Sequence, residues 1–133
     1  MHIYQIYSFN MRVETDLNPT TLELLKKDFE AQFVLNLVAS ARQVHISELL
    51  GPARGDFNIC LARQMAMYLT NVVLPRSLTY TGALFARDRR TVSYACGRIE
   101  DLREQKKFER AMSCLERTLL IALNNQAQFA ECG

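Results

Sequence analysis

Arg87-Asp88-Arg89-Arg90-Thr91-Val92-Ser93-Tyr94-Ala95-Cys96-Gly97-Arg98-Ile99-Glu100-Asp101-Leu102 is the stretch on which the fold turns. Val92, Ala95, Ile99 and Leu102 recur at spacings of three and four, so they share one helical face and must look into a core. That placement pushes Arg89, Arg90, Ser93 and Tyr94 outward on the first two turns. Asp88 has the side chain of an N-cap, which would fix the start of the helix and leave its first amides available to a phosphate.

Working back from this helix, Phe85-Ala86-Arg87 is too short to be anything but a tight connection. Before it lies a short helix over Leu78–Leu84 with Ser77 as its cap, and Pro75 closes the element before that. A short helix, a turn, and a helix displaying arginine and hydroxyl groups on its opening turns make a helix-turn-helix plan. In that plan the second helix lays its N-terminal residues on base edges in the major groove.

Further upstream, Ile59, Ala62, Met65, Ala66 and Leu69 mark the inner face of a long helix capped by Asp56 or Asn58. Helical projection sends Arg63, Gln64 and Met67 to its other side. The polar loop Gly51–Asp56 carries Arg54 and follows a single helical turn around Ser47–Leu50, which Gly51-Pro52 stops. An amphipathic helix is expected from Thr20 to about Gln43, with Thr20 and Glu23 at capping-box spacing. Residues 1–18 show no period and read as an arm or one added strand. Downstream, Phe108, Ala111, Met112, Leu115, Leu119 and Ala122 keep the helical pattern, and residues 125–133 read as a frayed tail. The expected fold is a single all-α domain over 19–124, a compact bundle of five to seven helices, with the helix-turn-helix core at 38–105.

Charge points the same way. The 133 residues carry a formal net charge of only +2. Residues 52–98, however, hold Arg54, Arg63, Arg76, Arg87, Arg89, Arg90 and Arg98 against Asp56 and Asp88, a local +5 with no lysine. The segments on either side come to −2 and −1. An arginine block in a nearly neutral chain is the footprint of a nucleic-acid contact, because the planar guanidinium fork fits phosphate and guanine edges.

Other functions find little support. With 49% hydrophobic residues the chain can fill a core, while 5 Gly and 3 Pro are few for an all-β fold. There is no apolar run of membrane-spanning length and no secretory signal pattern, so a cytoplasmic, nucleoid-associated protein is expected. Cys60, Cys96, Cys114 and Cys132 form no Cys-x-x-Cys pair, and His2 and His45 stand alone, so neither metal nor cofactor is expected. No nucleophile motif surrounds any Ser or Cys, and the protein is not expected to be an enzyme.

Two motifs carry a resemblance. Ala62-Arg63-Gln64-Met65-Ala66-Met67-Tyr68-Leu69, followed by Arg87-Asp88-Arg89-Arg90-Thr91-Val92-Ser93-Tyr94-Ala95, resembles the C-terminal DNA-binding domain (domain IV) of the bacterial replication initiator DnaA. The likeness spans about Val38 to Gln105, and no Gly-x-x-x-x-Gly-Lys-[Ser/Thr] loop of the initiator's ATPase occurs. A stand-alone, HdaB-like relative is implied. The resemblance implies duplex-DNA contacts by Arg63, Gln64, Arg87, Asp88 and Thr91, and the wider arginine face adds Arg54, Arg76, Ser77, Arg89, Arg90, Ser93 and Tyr94. Arg89 and Arg90 replace a His and a Ser/Thr of the family, one turn glycine is missing, and Asn71 stands where the family has a lysine. A second reading makes the chain a protein-interaction module acting on the initiator or on its inactivating partner.

Overall fold

Asn18 and Pro19 begin the first helix of the computed structural model, which describes residues 17–132, with side chains through residue 125. Asn18 Oδ1 accepts from the amides of Thr20 (2.9 Å) and Thr21 (3.4 Å). Pro19 occupies the first helical position, where its missing N–H costs nothing. The cap expected at Thr20 is therefore corrected to Asn18. Residues 1–16 of the expected arm fall outside the described residues, and Leu17 is buried against the core.

The long helix expected over residues 20–43 is two helices, α1 (Pro19–Lys27) and α2 (Phe29–Arg42). Asp28 breaks them apart with φ −118° and ψ 85°, outside the helical region. Its Oδ1 caps α2 by accepting from the Ala31 amide at 3.0 Å. The carboxylate also takes both arms of Arg76 at 3.0 Å and the Tyr80 hydroxyl at 2.8 Å. A buried carboxylate with that many charged and polar partners outweighs the single turn it interrupts. Burial raises the Asp28 pKa, but hydrogen bonds from Arg76, Ala31 and Tyr80 outweigh this and bring it below the usual value. Burial and the adjoining carboxylate push Tyr80 up to about 12. Gln32 staples the break by donating to the Leu25 carbonyl at 2.6 Å.

Helix α3 (Ile46–Leu50) ends at Gly51, as its sequence predicts, and α4 (Phe57–Tyr68) follows the loop. Asp56 caps α4 through the Ile59 amide at 2.9 Å. Asn58, the other candidate, instead exchanges two hydrogen bonds with Arg42 and ties the end of α2 to the start of α4. Every residue from Leu61 to Tyr68 is buried, so α4 is the central helix and has no wet face over that span. It runs into a wider π-helical turn, Leu69–Val73, before Pro75. Then come α5 (Leu78–Phe85), α6 (Arg89–Leu102) and α7 (Lys106–Cys132). The described residues thus form seven α-helices and no strand, an all-α bundle containing the expected helix-turn-helix.

Helix α7 packs on α2 through Met112, Leu115 and Leu119, each 7% exposed or less. Burying such a side chain contributes about 1.5–3 kcal/mol. Arg103 locks the α6–α7 corner: it donates to Glu109 and Glu116, and its guanidinium carbon sits 5.7 Å from the centre of the Tyr68 ring. The backbone of α7 is helical through Cys132, beyond residue 125 where a frayed tail was expected.

Candidate nucleic-acid interface

Ser77 Oγ caps α5 by accepting from the Tyr80 amide at 3.0 Å. The helix closes on Ala86, which adopts the left-handed conformation (φ 55°, ψ 44°) usually given to glycine. Arg87 N–H donates back to the Gly82 carbonyl at 2.8 Å. A Cβ on Gly82 would stand 2.6 Å from the Arg87 carbonyl oxygen, so the turn can fold this tightly only over a bare α-carbon. The glycine missing from the turn is replaced by an alanine held in a conformation costing about 1 kcal/mol, with Gly82 providing room beneath.

Asp88 then caps α6, its Oδ1 accepting from the Arg90 amide at 2.8 Å. Val92, Ala95 and Ile99 are at most 1% exposed, as their spacing predicts. Arg89, Arg90, Thr91, Ser93 and Tyr94 are exposed on the other side, Tyr94 by 68%. Neither the Arg89 nor the Arg90 guanidinium has a hydrogen bond or ion pair among the described residues. Both charges are available to a ligand.

Beside these turns runs a cleft walled by the 51–56 loop and α4 on one side and the start of α6 on the other. Arg54, Gln64, Arg87, Thr91 and Tyr94 meet in its lining. Farther along α6 an adjoining recess adds Phe57 and Arg98. Arg98 was not among the sequence-derived site residues, although it lies one helical turn beyond exposed Tyr94 and belongs to the same face. Its Nε donates to Gln64 Oε1 at 3.1 Å, which holds the head group over the recess. Arg87 donates to the Phe85 carbonyl (2.9 Å) and reaches the Ala53 carbonyl at 3.5 Å. Burial lowers its pKa, yet a guanidinium starting from so high a value keeps its charge at neutral pH.

Three placements need correction. Arg63, expected outside, is 4% exposed and donates inward to the carbonyls of Glu48, Leu49, Ala53 and Arg54. Burial, and then the nearby Arg87 charge, lower its pKa. Gln64 is only 9% exposed: it lines the cleft from the α4 side, with its Oε1 accepting from Arg98. Arg76 is consumed by Asp28, by Glu30 at 2.6 Å and by the Leu74 carbonyl at 2.6 Å. Helical projection misplaced Arg63 and Gln64 because α4 is covered on every side. Ser77 is exposed, but its oxygen serves α5 and it does not line the cleft.

Asn71, standing in for a family lysine, donates to the Arg76 carbonyl at 2.8 Å and accepts from Cys96 Sγ at 3.5 Å. Burial pushes the Cys96 thiol up to about 11, leaving it protonated and unreactive. Among the described residues no three His, Cys, Asp or Glu side chains converge as a metal site would require. No described helix is long and apolar enough to cross a membrane.

The family model described as bacterial dnaA protein helix-turn-helix matches residues 31–99 of this chain. Chromosomal replication initiator protein DnaA 2 of Chlamydia trachomatis is 40% identical over 91 residues, 65% of this chain and 20% of that protein. The DnaA initiator of Tropheryma whipplei is 32% identical over 118 residues, 81% of this chain and 24% of its own length. That of Bordetella pertussis is 36% identical over 84 residues, 62% of this chain and 18% of its own. The chain spans between a fifth and a quarter of the first two relatives it matches. The matched segment holds α2 through most of α6, with the central helix, the arginine loop and the turn described above, and the chain belongs to the bacterial DnaA helix-turn-helix family.

Proposed function

We propose that this protein binds double-stranded DNA with α6 in the major groove, and that it acts in, or regulates, the initiation of chromosome replication. The observation that carries the reading is the pair Arg89 and Arg90, exposed and without partners among the described residues on the first turn of α6, opposite the buried Val92–Ala95–Ile99 stripe. Arginine forks pair with guanine O6 and N7, each good pair discriminating by about 1–3 kcal/mol. Arg54, Arg87 and Arg98, on the flanking cleft, take phosphates and set the register of the helix on the duplex. Thr91, Ser93 and Tyr94 add hydroxyl groups at base or backbone edges, and Asp88 fixes where the helix begins. No step of this binding needs a cofactor or a metal.

The two arginines stand where the family has a His and a small hydroxyl residue, so the preferred site differs from the DnaA box. Selection from random duplexes by the native protein and by Arg89→His/Arg90→Thr tests this. Two different consensus sites are expected. Identical DnaA-box-like sites from both proteins would make these arginines backbone contacts. Failure of both to hold duplex at low salt would reject DNA binding and favour a module that engages the initiator or its inactivating partner. Chromatin immunoprecipitation enriched at the replication origin is the expected result for a role in initiation, and enrichment only at promoters would contradict it.

A further inference from the structure

The loop 51–55 has no regular structure of its own, yet it carries Arg54 into the cleft wall beside Thr91 and Tyr94. Its backbone is tied down from beneath. Arg63 Nη1 donates to the Arg54 carbonyl and Nη2 to the Ala53 carbonyl, both at 2.9 Å. The same guanidinium gathers the end of α3: Nε donates to the Leu49 carbonyl at 2.9 Å and Nη2 to that of Glu48 at 2.7 Å. These last two carbonyls sit at the negative end of a helix, where a cation is favoured. Four of the five guanidinium N–H donors are thereby spent, and the side chain is buried.

Two further features fix the loop. Gly55 leaves it at φ +79°, and a Cβ there would meet Ile59 Cγ2 at 2.7 Å. From the recognition turn, Arg87 Nη2 reaches the same Ala53 carbonyl at 3.5 Å. The loop is bracketed between one arginine below it and another across the cleft, and the side chain it leaves outside is Arg54.

We infer that Arg63 is a positioning residue, holding the loop so that Arg54, and not Arg63 itself, meets a DNA phosphate next to the recognition helix. This rests on the duplex-binding reading above. A lysine cannot replace it, because three donors radiating from one nitrogen do not span the end of α3 and the loop together.

The test compares Arg63→Lys, Arg54→Ala and the double variant in the full chain. Backbone order parameters of Arg54 and Gly55 should lie near about 0.85 in the native protein and fall toward about 0.6 in Arg63→Lys. On duplex DNA each single change should flatten the log–log salt dependence by about 0.9, one phosphate contact, and the double variant should flatten it no further. Gly55→Ala keeps Arg63 in place but disturbs the loop, and it should reproduce the Arg54→Ala slope if Arg63→Lys folds poorly. Additive losses, with the double variant flattened by about 1.8, would put Arg63 on a phosphate of its own and overturn the inference. So would an unchanged loop in Arg63→Lys, or native affinity and slope in Gly55→Ala. Absence of duplex binding by the native protein at low salt refutes the DNA reading and the role of Arg54 with it, whereas binding with additive losses refutes only the positioning role.

Discussion

The salt dependence of duplex binding can be worked out from which arginines the fold leaves free. Residues 52–98 contain seven arginines, and a count from the sequence would offer all seven to phosphates. The structure withdraws two: Arg63 is buried with four of its five N–H donors on carbonyls, and Arg76 is held by Asp28 and Glu30. Arg54, Arg87, Arg89, Arg90 and Arg98 remain on the cleft and recognition face. Five neutralised phosphates give a log–log slope no steeper than about −4.5, so raising salt from 50 to 200 mM weakens binding by at most about 500-fold. Seven would give about −6.3 and roughly a 6,000-fold loss. Fluorescence anisotropy of a labelled duplex at several salt concentrations across that range separates the two. Arg76→Ala should leave the slope unchanged. Arg89→Ala/Arg90→Ala should flatten it by about 1.8 if both hold phosphates. If both read bases, the slope should change little while affinity for the preferred site falls by about 1–3 kcal/mol per contact. A slope near −6, or a flatter slope in Arg76→Ala, would refute the assignment of Arg63 to the interior and of Arg76 to its carboxylate partners.

Three predictions concern the scaffold beneath that face. Ala86→Gly relieves a left-handed alanine and should stabilise the protein by about 0.5–1 kcal/mol, raising its melting temperature with DNA affinity kept. Gly82→Ala forces a Cβ against the Arg87 carbonyl and should destabilise by roughly 1–3 kcal/mol while weakening DNA binding; a neutral melting temperature would contradict the close approach. Asp28→Asn should cost about 2–3 kcal/mol at neutral pH, less than a fully buried broken pair because Arg76 is part exposed and keeps Glu30. The native Asp28 pKa lies below its unfolded value, so its contribution is fully present above the unfolded pKa, about 3.9, and is lost as pH falls through the folded one. Denaturant titrations below pH 5 should therefore show a steeper acid loss in the native protein than in Asp28→Asn.

Where sequence reading succeeded, the determinant was local. Val92, Ala95 and Ile99 lie on one stripe of one helix, α6 has a single candidate cap, and both features survive unchanged in the fold. Where two neighbours were equally good caps, a distant partner decided. Asn58 was withdrawn by Arg42, which left Asp56 to cap α4. The broken helix at Asp28 was hidden because Leu22, Leu25, Phe29 and Phe33 keep a helical spacing straight through it. The partners that justify the break, Arg76 and Tyr80, arrive from 48 and 52 residues away.

Arg63 shows why the candidate binding face was harder to read than the fold that carries it. Projection onto a helical wheel assigns an angle, and an angle becomes exposure only where no other element covers that side. Along α4 other elements cover every side from Leu61 to Tyr68, so the outward angle of Arg63 leads to four carbonyls instead of solvent. The same holds for charge. A sum over residues 52–98 records cations but not the anions that fold back onto them, and Asp28 and Glu30, which neutralise Arg76, lie in the segment whose own sum is negative. What a phosphate can meet is the charge left after internal pairing. That remainder sits on the short loop, on the turn and along the outer face of α6, where Arg87 and Arg98 meet only uncharged acceptors and no described carboxylate pairs with any of the five. Arg89 and Arg90 were legible from the sequence because they follow a cap at the start of a surface helix, and none of the described residues reaches across to pair with them.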